Sequence, residues 1–424
     1  MTNAIPSPEN IRRAVFDNGI TALVRENLSA PVVVLEGSLA AGAIQEPAAK
    51  AGLCSYVAAM LTRGSARFSF DQFNETIESI GASLSFSPGA HNTSFGITCL
   101  AEDFPQLIEV LADVLRYPIF PEEQIERVRR QKLVRLQERA QDTGSMAHLR
   151  FDEALYGKEH PYGRTISGYT ETVSAINRTD LELFHQKYFT PNGAIIAISG
   201  DVQADALFDL LARHFGDWHG LVIDQGVPPI QPSQSIQRIV HPIAGKFQSD
   251  IVIGCPAVER SHPDYDALRV ANTILGQFGM MGRLGETVRE EQGLAYYCSS
   301  SLQTDLAAGA WVTSAGVNPA NVEQAIDSIL AEFQRLAHEP VGAEELSDSQ
   351  AYMTGIVPLG LETNGGVAQL LHNIEWYNLG LDYVQRYSDL INAITVEEVQ
   401  RVAQTYLRSD AYALVVAGPH EENS

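Results

Sequence analysis

Leu107, Val110, Leu111, Val114 and Leu115 recur at the spacing of one helix face, and Pro118 and Pro121 close that helix. A long charged helix is predicted next, over about residues 122–141. Strands read differently. Residues 31–39 (Pro-Val-Val-Val-Leu-Glu-Gly-Ser-Leu) and 93–100 (Thr-Ser-Phe-Gly-Ile-Thr-Cys-Leu) have the β-branched, aromatic composition of strands. Residues 14–25 read as a hairpin turning at Asn18-Gly19. Residues 83–92 alternate small polar with apolar positions and contain Pro88, which suits an edge strand. Strands interrupted by helix pairs predict an α+β (mixed α/β) fold with helices packed against a sheet.

The pattern is written twice. At an offset of 218 residues, Gln106-Leu-Ile-Glu-Val-Leu-Ala falls on Gln324-Ala-Ile-Asp-Ser-Ile-Leu. The same offset places Ala175 on Ala393, Ile176 on Ile394, Gln186 on Gln404, Tyr188 on Tyr406 and Gly200 on Gly418. In both copies a helix leads into a short apolar strand, residues 194–200 and 412–418. One offset holding across two segments predicts a duplicated domain. Between the copies, Gly220-Leu-Val-Ile-Asp-Gln-Gly-Val-Pro-Pro-Ile-Gln-Pro-Ser-Gln has linker composition. The expected division is 1–220, a linker at 221–236, and 237–424.

The 424 residues are 45% hydrophobic and 19% charged, which is ordinary for a globular protein. The formal net charge of −23 is hostile to nucleic-acid phosphate and anionic lipid, so neither nucleic acid nor membrane is an expected partner. The first ten residues lack a basic segment followed by an apolar one, and no apolar run approaches a bilayer span. Cys54, Cys99, Cys255 and Cys298 are far apart and read as buried free thiols of a reducing compartment. A cytoplasmic protein is expected.

Two segments carry the chemistry. The first is Gly52-Leu-Cys-Ser-Tyr-Val-Ala-Ala-Met-Leu-Thr-Arg-Gly-Ser. It resembles the zinc helix of the pitrilysin/insulinase family, the inverted-zincin metallopeptidases, whose signature contains H-x-x-E-H. In that frame the two ligand histidines fall on Ser55 and Ala59, and the general-base glutamate on Ala58. The family's third ligand, a glutamate further along the chain, falls on Arg135. Zinc catalysis needs three nitrogen or carboxylate ligands and an open position for water. A hydroxyl, two methyls and a permanent cation supply none of this, so no zinc is expected in this chain. His214 and His219, the closest histidine pair, are spaced i, i+5 and read as an exposed helix end.

The second segment is Gly282-Arg-Leu-Gly-Glu-Thr-Val-Arg-Glu-Glu-Gln-Gly-Leu-Ala-Tyr-Tyr. It is similar to the family's S-R-L-x-x-x-x-R-x-x-x-G-L-A-Y region, with Gly at position 282 where Ser is usual. The resemblance gives Arg289 and Tyr296 the role of the arginine and tyrosine that reach the scissile peptide. Just upstream, Gly276-Gln-Phe-Gly-Met-Met-Gly-Arg-Leu-Gly follows a helix and lacks a Lys-Ser/Thr pair, so it is not a phosphate loop. In the processing-peptidase branch a glycine-rich loop at this place touches substrate, which makes Gly279, Met280 and Met281 candidate substrate-binding residues.

The resemblance covers nearly the whole chain. It implies two duplicated domains of the LuxS/processing-peptidase-like metallohydrolase fold, each a mixed, mainly antiparallel sheet with helices against it, facing each other across a cleft. It further implies a non-catalytic subunit of a heterodimeric zinc metallopeptidase that degrades or processes peptides. The partner would carry H-x-x-E-H and the zinc, and this chain would lend Arg289 and Tyr296; a homodimer is left open as a form for the chain without its partner. The alternative is a catalytically inactive structural or peptide-binding homologue, for which Arg289 and Tyr296 are dispensable.

Overall fold

The computed structural model describes residues 5–220, 226–230 and 235–419. Eleven strands among the described residues form two sheets. The first contains β1 (Arg12–Val15), β2 (Thr21–Glu26), β3 (Val32–Leu39), β4 (Ser83–Pro88), β5 (Thr93–Leu100) and β6 (Ile195–Gly200), in the order β1-β2-β6-β3-β5-β4. The second contains β7 (Gln237–Pro242), β8 (Ser249–Pro256), β9 (Ala295–Gln303), β10 (Ala310–Val317) and β11 (Ala413–Gly418), in the order β7-β11-β8-β10-β9.

Apart from β1, the two sheets have one topology. β2 runs parallel to β6 as β7 does to β11. All other pairings are antiparallel: β6 with β3, β3 with β5 and β5 with β4, matched by β11 with β8, β8 with β10 and β10 with β9. The 218-residue offset holds in space as well as in sequence. Helix Arg178–Tyr188 and β6 correspond to helix Val396–Tyr406 and β11, with the same offset at every boundary. Helices Phe104–Arg116 and Val322–His338 also begin 218 residues apart. The fold is therefore a duplicated α+β architecture with mixed, mainly antiparallel sheets.

Local chemistry explains several elements. The hairpin closes with Val15 opposite Thr21, and Gly19 supplies the left-handed φ of 90° that the turn requires. Five large apolar residues on helix Phe104–Arg116 (Leu107, Val110, Leu111, Val114 and Leu115) are buried in the first core. The charged helix runs over Glu122–Arg139, ending two residues before the expected stop. β4 is an edge strand, paired with β5 alone among the described residues.

Compactness does not follow the linear order of the chain. The first unit gathers residues 1–136, 165–226 and 358–385, and the second gathers 137–164, 227–357 and 386–424. Each unit thus holds the sheet of one copy and a helix from the other. In the first, helix Asn364–Trp376 lies on β2, β3 and β6, burying Val367 and Leu371 with Leu23, Ile195 and Ala197. In the second, helix Thr143–Tyr156 lies on β8 and β11. Gly254 makes room there for Phe151, since a Cβ at 254 would stand 3.0 Å from the Phe151 ring. Of the expected linker at 221–236, residues 221–225 and 231–234 lie outside the described residues.

Candidate functional site

The first unit carries the segment that resembles a zinc helix. Helix Leu53–Met60 starts from Gly52, whose φ of 96° favours glycine. The Glu46 carboxylate caps it, accepting from the N–H groups of Gly52 and Cys54, each at 2.9 Å. Ser55 and Ala58 are buried and Ala59 is half-buried. Ser55 Oγ donates to the Gly52 carbonyl at 3.0 Å, the usual way a serine turns its hydroxyl back onto its own helix.

The same oxygen accepts a second hydrogen bond, from Lys132 Nζ at 2.8 Å. Lys132 lies on helix Glu122–Arg139, which is tied to the first helix by Tyr56, whose hydroxyl donates to the Ile125 carbonyl at 2.6 Å. The ammonium also lies 5.5 Å from the centre of the Tyr56 ring. Burial pushes the Lys132 amine down to about 8, and the neighbouring Arg135 guanidinium pushes the same way. Arg135 itself is exposed. The cation that touches position 55 is therefore Lys132, one helical turn before Arg135. Lys132 lies outside the motif frame that picks out Arg135, although the i, i+3 rule puts both residues on neighbouring parts of one helix face.

These groups do not fit a zinc ion. They supply no imidazole and no free carboxylate, and they present an ammonium where a cation would have to sit. Among the described residues no group of three or more His, Cys, Asp or Glu could hold a metal. Cys54 adds no ligand, because burial holds its thiol up at about 12.

The second unit carries the Arg/Tyr segment. Residues Gly285–Glu291 form wide π-type turns, as do Thr273–Gln277, and such turns recur at functional sites. Val288 and Leu284 anchor the segment in the core, while Arg289 on the other side is 41% exposed. Gly293, with φ 60°, turns the chain into β9, one of the two edge strands of its sheet. Strand alternation then sends Tyr296 out, 81% exposed, while Tyr297 turns in and donates to Asp250 at 2.6 Å. Among the described residues the Arg289 side chain pairs with Glu290 alone, at 3.5 Å, an exposed pair of little energetic weight. The Tyr296 hydroxyl has no hydrogen-bond partner among the described residues. Neither functional group is consumed by the fold.

Gly279, Met280 and Met281 form a short 3-10 turn between the two π-type segments. Gly279 has φ 66°, and a Cβ on Gly285 would meet its carbonyl oxygen at 2.3 Å, so two glycines fix this loop. Both methionine side chains are exposed.

Comparison with known proteins agrees with the architecture. Residues 23–168 match the family profile described as insulinase (peptidase family M16), and residues 175–353 match the one described as the peptidase M16 inactive domain. An uncharacterised zinc protease of Mycobacterium leprae is 27% identical over 385 residues, covering 89% of this chain and 85% of that protein. The mitochondrial-processing peptidase subunit beta of Pongo abelii is 25% identical over 394 residues, covering 90% of this chain and 79% of that one. A peptidase M16 inactive domain structure from Pseudomonas fluorescens superposes with a TM-score of 0.90 at 23% identity, covering 98% of this chain and 99% of the other.

Proposed function

Since the chain belongs to the insulinase (M16) family of peptidases, we propose that it is the non-catalytic half of a two-subunit zinc peptidase. The observation that carries this reading is a contrast within one chain. The positions of the zinc ligands and general base, Ser55, Ala58, Ala59 and Arg135, carry none of that chemistry, while Arg289, held only in an exposed pair with Glu290, and Tyr296 are intact. A homologous subunit bearing H-x-x-E-H would bring the zinc and the general base, and this chain would bring Arg289 and Tyr296 to the same peptide. The relative named as a subunit of a processing peptidase supports an assembly of this kind.

The chemistry asked of the pair is modest and specific. As a peptide carbonyl is attacked, charge gathers on its oxygen. A tyrosine hydroxyl aimed at that oxygen donates more strongly in the transition state than in the ground state, so it acts on rate. The Arg289 guanidinium offers a planar fork of donors to a peptide carbonyl and holds the substrate in register. Gly279, Met280 and Met281 would add an adaptable apolar contact for substrate side chains.

Reconstitution tests the reading. The purified chain is mixed with an H-x-x-E-H homologue from the same genome, and peptide hydrolysis is compared with that of each subunit alone. Activity only in the mixture supports the proposal. Full activity of the partner alone, or an active mixture indifferent to Arg289 and Tyr296, favours a structural or peptide-binding role.

A further inference from the structure

The Lys132 ammonium meets no carboxylate at ion-pair distance among the described residues, and the Glu46 carboxylate acts on it only from further away. The lysine is half-buried, and its hydrogen bond goes to the neutral Ser55 hydroxyl. The nearby Glu46 carboxylate is turned to the Gly52 and Cys54 amides. Arg135, one turn further along the same helix, adds a second cation that also has no ion-pair partner among the described residues. The chain has 52 acidic and 29 basic residues, yet neither of these two cations meets a carboxylate at ion-pair distance among the described residues. Desolvating an ammonium costs free energy unless an anion compensates it, and the partly buried Lys132 leaves that place open, with the exposed Arg135 guanidinium beside it free to turn toward the same anion.

We propose that Ser55, Lys132 and Arg135 form a binding site for a peptide carboxylate, with Ser55 and Arg135 at positions that match two of the family's zinc ligands. Lys132 would donate to one carboxylate oxygen, and Arg135 would swing over the other. Ser55 holds the ammonium in place from below. A peptide is the favoured bearer because helix Leu53–Met60 packs against β4, one of the two edge strands of the first sheet. An extended chain can add to such an edge through its main chain, leaving a terminal or side-chain carboxylate to reach the cations. The net charge of −23 disfavours larger polyanions. The proposal deepens the peptide-binding side of the function above and makes no use of Arg289 or Tyr296.

Calorimetric titration of the full chain, without partner or zinc, tests it. Three forms of one unstructured Ala/Ser/Thr decapeptide serve as probes: a free C-terminal carboxylate, a C-terminal amide, and the amide with one central Glu. A charge-assisted contact predicts that a carboxylate-bearing form binds about 10- to 100-fold tighter than the plain amide. Whichever of the two binds tighter identifies a terminal or a side-chain source. Lys132→Met is expected to abolish the preference while leaving the melting temperature equal or higher, because it removes an unpaired ammonium. Lys132→Arg should keep most of the preference, and Arg135→Ala, at an exposed position, should reduce it several-fold. Equal affinity for all three peptides, no binding of any, or a preference untouched in both Lys132→Met and Arg135→Ala overturns the proposal. Because no partner takes part, either result is independent of whether reconstituted hydrolysis is observed.

Discussion

The Asn364 side-chain amide donates to the Val32 carbonyl at 3.1 Å, tying the first residue of a late helix to the first residue of β3. Its oxygen accepts from Asn27 at 2.8 Å and from Ser199 at 3.2 Å, so one side chain joins three segments of the first unit. Nearby, His372 and Ser38 share a buried hydrogen bond of 2.8 Å, and Arg13 forks onto Glu375 at 2.8 and 2.7 Å.

Asn364→Ala is expected to cost roughly 1–3 kcal/mol, because it strands the donors of Asn27 and Ser199 as well as removing a bond. Amide hydrogen exchange should quicken in β3 and β6 and stay unchanged in β8 and β10. Equal protection throughout would mean that the helix is held by its apolar face alone.

The isolated chain should bind no stoichiometric zinc by metal analysis and show no chelator-sensitive hydrolysis. Restoring the motif as Ser55→His, Ala58→Glu and Ala59→His is not expected to give tight zinc binding, since Lys132 still directs its charge at position 55. Adding Lys132→Glu should raise zinc affinity at least about tenfold by replacing repulsion with a ligand. Equal affinities for the triple and quadruple variants would show that the lysine does not govern the site.

In a reconstituted enzyme, Tyr296→Phe should lower kcat about 10²-fold and leave KM nearly unchanged, because the lost hydrogen bond matters mainly in the transition state. Arg289→Ala should lower kcat and raise KM together, since a guanidinium also holds the ground-state peptide. Unimpaired turnover in the Tyr296→Phe enzyme would refute the lending of this pair.

Burial raises the Asp152 carboxyl from 3.8 to about 7, with the neighbouring Glu153 acting in the same direction. Its folded-state value lies above its unfolded value. The native state therefore binds the extra proton between about pH 4 and 7, and stability is lost as pH rises through that window. Asp152→Asn should leave the melting temperature unchanged near pH 4 and raise it near pH 8. A variant whose melting temperature tracks the parent across both values would disprove the shift.

The duplication was legible in sequence because helix and strand periodicities, repeated at one offset, depend only on local spacing. The missing metal chemistry was legible for a similar reason. Ser55, Ala58 and Ala59 lie within two turns of one helix, where sequence spacing and spatial spacing are the same thing. The Arg289/Tyr296 segment could likewise be read in line, since a turn and an alternating strand determine that Tyr296 faces out. Tertiary structure decided what those faces meet. Local spacing does not reveal that helices Thr143–Tyr156 and Asn364–Trp376 each lie in the unit holding the other copy's sheet. Burial is non-directional, and any apolar face of the right shape satisfies it. The choice between Lys132 and Arg135 was hidden for a related reason. The two lie one turn apart on one helix, and only the packing of that helix on Tyr56 puts the lysine against Ser55.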